Sequence, residues 1–182
     1  VRKAEAGRFI ARVERTAAAA EPAMVSYRTV AIPEKVAAHV RSNLTAPGYG
    51  HPAHVEVATG YGPCRSCLGT FVEGKDERIL FTYDPFHGLD DYPSPGPVFI
   101  HKETCSRHEA AAFPDGLREL PLVLEGYGRG RWIVARERIE NGDVDSAVAR
   151  LFAHAAVEYL HVRNGEAGCY IARIERSDAA AA

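Results

Sequence analysis

The chain has 182 residues, 46% of them hydrophobic and 25% charged, with a formal net charge of −2. That is enough for one domain with a buried core, and the near balance of charge excludes a global basic field that would gather nucleic acid or an anionic membrane surface. No apolar run approaches the roughly 20 residues of a membrane-crossing helix, and the opening residues lack the apolar centre of a secretory signal, so a cytoplasmic protein is expected. In a reducing compartment, four cysteines point to metal binding, catalysis or inert burial ahead of structural disulfides.

Residues 1–16 align without a gap on residues 162–177, with ten of sixteen positions identical. A single repeat of this length is not a solenoid period. Residues 1–23 are therefore expected to be a stub resembling the tail of a preceding tandem copy, followed by an alanine-rich linker. The globular domain is placed at 24–177, with a disordered alanine tail at 178–182. The stub offers one route to tandem pairing or self-association, and it is not expected to displace the last strand. At the position equivalent to Cys169 it carries Arg8, a charge that is costly to bury without a partner.

Ser26 to Ile32 alternates β-branched and aromatic residues and reads as a strand. Pro33 and Glu34 suit a helix first turn, and Val36, Ala37, Val40 and Leu44 repeat at helical spacing until Pro47-Gly48. His54–Thr59, Arg78–Tyr83 and Pro97–His101 read as strands. Between the last two, residues 84–97 form a proline- and aspartate-rich loop of a length often used for lids. Asp90 and Asp91 within it suit a hard cation or a solvated turn. Pro121–Tyr127 and Arg131–Arg138 suggest a hairpin whose arginines, offset by Glu125, Glu137 and Glu140, form a solvated surface. Asp143 is an N-cap for the strongest helix, whose stripe is Val144, Ala147, Val148, Leu151, Phe152 and Ala155. Tyr159–Arg163 and Cys169–Arg176 are the last strands. The fold expected is α+β: a mostly antiparallel sheet of about seven strands packed by two helices, with the cysteine turn and the 84–97 loop at one edge.

Pro63-Cys-Arg-Ser-Cys-Leu68, Tyr83-Asp-Pro-Phe86, Gly96-Pro-Val-Phe-Ile-His101 with Cys105, Pro121-Leu-Val-Leu124, Tyr159-Leu-His-Val-Arg-Asn164 and Gly168-Cys-Tyr170 form an ordered set. As a set it resembles a bacterial family known as domain of unknown function 1203, over residues 24–176. The resemblance implies a small bacterial cytosolic domain, and no activity comes with it.

The chemistry concentrates at Cys64-Arg-Ser-Cys67, with His101 and Cys105 downstream. A C-x2-C turn sets two sulfurs on one side of a tetrahedron, and His101 and Cys105 complete a zinc ligand set. The separation from Cys67 to His101 requires a tertiary site, for which His161 and Cys169 are alternate ligands. Thiol chemistry is the second reading. It takes the form of a redox C-x-x-C pair with Arg65 favouring thiolate, or of a Cys105 nucleophile activated by His101 or His108. The helix that follows a thioredoxin-like C-x-x-C is missing after Leu68. The third reading is packing, since free cysteine behaves as a small hydrophobe, with His161 a strand histidine bonded to a neighbour. Arg65, Arg163 and Asn164 are candidates for binding an unknown small ligand, although Arg163 and Asn164 also suit bonding to their own turn.

Overall fold

In a computed structural model the described residues are 25–86 and 93–177, and among them eight strands and three helices occur. The stub, the alanine tail and Asp90 and Asp91 lie outside the described residues. The elements are β1 (Tyr27–Val30), α1 (Glu34–Asn43), β2 (His54–Val57), β3 (Glu77–Tyr83), β4 (Gly96–His101), α2 (Asp115–Arg118), β5 (Leu122–Tyr127), β6 (Ile133–Arg138), α3 (Val144–Ala153), β7 (Tyr159–Asn164) and β8 (Tyr170–Arg176).

The architecture is α+β, but the strands divide into two antiparallel sheets. The larger has the order β1-β8-β7-β5-β6 and the smaller β2-β3-β4. Periodicity tells which face of a strand is buried, not which strand lies beside it, so a single sheet of about seven strands was the expectation and two sheets are the result. The register Tyr83↔Gly96 and Arg78↔His101 corrects a second expectation. It sets residues 84–86 and 93–95 at the opposite end of that hairpin from His101, not beside the cysteine turn.

α3 forms because one stripe is apolar and its start is capped: Asp143 accepts from the Ser146 amide. Val144, Ala147, Val148, Leu151 and Phe152 are buried against Leu122, Leu124, Leu160 and Val162, each large side chain contributing about 1.5–3 kcal/mol. The stripe stops at Phe152, because the helix ends at Ala153 and Ala155 is exposed. α1 likewise ends sooner than the spacing suggests. Leu44 takes a left-handed conformation (φ 48°) and its amide bonds Val40, so it caps the helix and is 41% exposed.

A second core lies between α1 and the smaller sheet, joining Ile32, Ala37, Val40, Phe71, Ile79, Ile100 and Cys64. The cysteine turn links the sheets. The Arg65 amide bonds Phe99 O of β4 at 2.9 Å, and Arg65 O accepts from the Ile32 amide, just past β1, at 3.0 Å.

Candidate metal centre

Residues 63–70 close on themselves before they meet anything else. Pro63 and Thr70 form an antiparallel bridge, the Cys64 amide bonds Gly69 O, and the Leu68 amide bonds Cys64 O. Leu68 takes a positive φ of 57° and turns the chain back on itself, which is why no helix follows. The turn aims amides at its own sulfurs, Cys67 N–H at Cys64 and Gly69 N–H at Cys67. β4 then delivers His101 at its end, and the His101 amide donates to Cys64 Sγ at 3.3 Å.

Cys105 lies past β4, and its Sγ sits 3.9 Å from that of Cys64. His101 Nδ1 is 3.5 Å from Cys67 Sγ. One ligand atom from each of Cys64, Cys67, His101 and Cys105 lies within 4.8 Å of all the others. A tetrahedron with Zn–S bonds of about 2.3 Å has edges of about 3.8 Å, so small side-chain movements bring the four atoms onto one ion.

The surroundings favour negative sulfur. Hydrogen bonds from Cys105 and then Cys67 outweigh burial and hold the Cys64 thiol far below its usual range, while hydrogen bonds with Cys105 and then Cys64, together with burial, push the Cys67 thiol up. One thiolate is thus shared among neighbouring thiols. Arg41 of α1 reaches over the cluster, donating to Cys105 Sγ at 3.3 Å and to His101 O at 3.1 Å. The other ring nitrogen of His101, Nε2, faces Asp76 Oδ2 at 3.5 Å. A carboxylate there fixes the tautomer that leaves Nδ1 with a lone pair toward the sulfurs. Asp76 is held in turn by the Val72 amide at 2.7 Å.

The other candidates lie elsewhere. Cys169 Sγ contacts Ala167 O at 3.8 Å. His161 is fully buried among the rings of Phe86, Tyr127, Tyr159 and Tyr170. Neither of its ring nitrogens has a hydrogen-bond partner among the described residues, which corrects the expectation of a bonded strand histidine. Arg65 is 4% exposed, and its guanidinium donates to Tyr170 O at 2.8 Å and Pro63 O at 2.5 Å. It ties the cysteine turn to β8 and is not turned to a surface ligand; burial lowers its pKa to about 10. Asn164 Oδ1 accepts the amides of Glu166 and Ala167, a turn-bonding role, while Arg163 pairs with Glu125 and also bonds Gly168 O.

Glu125 is the residue the sequence reading misplaced. It is not part of a solvated hairpin but 5% exposed, accepting from Tyr127, Arg163 and Arg136. Its alternation with Leu124 was the available sign, but a polar residue on the second face of a strand looks the same whether that face meets water or protein.

The family model described as "Protein of unknown function (DUF1203)" matches residues 61–176, a span that contains all four clustered side chains. No curated protein and no solved structure matches the chain. Among the described residues no helix is long and apolar enough to cross a membrane.

Proposed function

The chain belongs to the DUF1203 family of proteins of unknown function, and from that premise we propose that Cys64, Cys67, His101 and Cys105 hold a structural zinc ion. The observation that carries the reading is the convergence of four ligand atoms from three separate places in the chain. Three thiolates and a neutral imidazole make a closed tetrahedral donor set, which suits zinc and leaves no position for substrate. Three thiolates with a divalent ion sum to one negative charge, and Arg41, its side chain 10% exposed and also 3.9 Å from Glu34, sets a positive charge against Cys105 Sγ. Amides pointing at Cys64 and Cys67 and a carboxylate behind His101 are the outer contacts that such a site requires. The ion would fasten the cysteine turn to the end of β4, and through Arg65 to β8. Its role is to hold the domain in shape.

Elemental analysis of protein purified without a histidine tag should find one zinc per chain. Cys64→Ser should lose it. Arg41→Gln and Asp76→Asn should each weaken zinc binding about 10–100-fold while leaving all four ligands in place. Full metal content in Cys64→Ser, or metal-free wild type with intact thiols that take up no added zinc, would end the proposal.

A further inference from the structure

The larger sheet has two unlike faces. Leu122, Leu124, Leu160 and Val162 face α3. Alternation places Glu125, Tyr127, Tyr159, His161 and Arg163 on the other face, with Glu125 directly across from His161 and Tyr127 from Tyr159. That second face is hollowed. A cleft of about 410 Å³ is lined by Glu125, Arg136 and Arg163, and shares Ser94, Tyr127 and Ile133 with a second of about 570 Å³ lined by Phe86 and Trp132. Charged side chains line the first half, and the second is lined by rings together with Arg131, whose guanidinium stands 4.5 Å over the Phe86 ring; each lies within the ordinary size range of small-molecule sites.

The charged half has one carboxylate for two guanidinium groups. Glu125 accepts from Arg163 Nε at 2.7 Å, from Arg136 at 2.5 Å and from the Tyr127 hydroxyl at 2.7 Å. The sum is one positive charge beside a half-buried wall. Arg136 bonds Glu125 through a single nitrogen, and its side chain is 59% exposed, so it can take a second acceptor. A monoanion matches this charge. In the aromatic half, Phe86 meets Tyr127 edge-on at 5.4 Å, and Trp132 is 78% exposed, a large flat surface open to water.

Beneath both halves lies His161, 0% exposed, its ring 4.8 Å from Tyr127 and 4.9 Å from Phe86. A buried imidazole with two unpartnered nitrogens among the described residues is unfavourable in the free protein, and such groups call for an explanation. A ligand that shifts Tyr127 or Phe86 would open a path to it.

We propose that the joined clefts bind a small organic monoanion with a flat apolar body, its carboxylate on Arg136 and Arg163 and its ring against Tyr127, Phe86 and Trp132. This binding does not depend on the metal centre. Trp132 is the single tryptophan of the chain, so its emission reports occupancy directly.

Phenylacetate serves as the probe, with 2-phenylethanol and acetate as controls lacking the charge and the ring. Calorimetry and Trp132 emission should both show saturable one-to-one binding of phenylacetate, about tenfold or more weaker for each control. Arg136→Gln should weaken phenylacetate about tenfold with zinc content and melting temperature unchanged. Trp132→Phe should keep calorimetric binding and lose the emission change. The proposal is overturned if phenylacetate fails to saturate, if 2-phenylethanol binds equally well, or if Arg136→Gln binds as the wild type does.

Discussion

If the four side chains hold zinc as proposed, removing it should loosen the domain by an amount that the chain length sets. Cys64 and His101 are 37 positions apart, and an ion bonded to both closes that loop as a covalent cross-link would. For a loop of this size the lost freedom of the unfolded chain corresponds to about 4 kcal/mol. The Arg65–Phe99 backbone bond already holds the turn to β4 in the native state, so little native strain should offset the gain. In a domain of about 150 residues each kcal/mol moves the midpoint by about 2–4 °C, which places the shift near 8–15 °C. The assay is thermal unfolding followed by circular dichroism, before and after stripping with a chelator, with released zinc counted colorimetrically. Adding zinc back should restore the midpoint. Complete removal of one equivalent with a shift under about 2 °C would refute the argument, because the cross-link would then constrain nothing.

Three further outcomes follow from particular contacts. Burial, aided by Arg163, Arg173 and Arg131, pushes the His161 pKa down to about 2. The unfolded chain therefore takes up a proton near pH 6.5 that the fold refuses, and stability present above that pH is lost as pH falls, by about 2 kcal/mol between pH 6.5 and 4.5. Denaturant titrations should show His161→Phe losing less over this range, and parallel curves would refute the assignment. In metal-loaded protein a thiol reagent should label Cys169, which lies outside the cluster, before Cys64, Cys67 and Cys105, which should become reactive only after chelation; equal labelling of all four at the outset would contradict this. Gly128→Ala should cost about 1–3 kcal/mol by chemical unfolding, since a Cβ there would sit 2.6 Å from Ala156 O and 2.9 Å from Val134 Cγ2.

The α+β class, most of the strands and α3 with its Asp143 cap were legible along the chain, because they follow from local alternation and a polar side chain three residues from the amide it binds. The sequence also placed Cys64 and Cys67 together, since a C-x2-C turn is closed by contacts within a few residues. The short helix Asp115–Arg118 left too brief a pattern to read. Leu44 fitted a helical spacing that its own left-handed backbone breaks. Which pair would join the turn, His101 with Cys105 or His161 with Cys169, depended on long-range packing, and the folded chain gathers the first. Both pairs carry the same donor atoms, and only the pairing of β4 beside the turn, with Arg41 and Asp76 drawn in from α1 and the chain before β3, brings the first pair to the sulfurs. Only the fold could bury Glu125 under two arginines and enclose His161 in rings from three strands and the chain after β3. A residue's pattern along its strand records which way it points. What stands opposite is supplied by residues tens of positions away, whose approach the spacing of one segment does not encode.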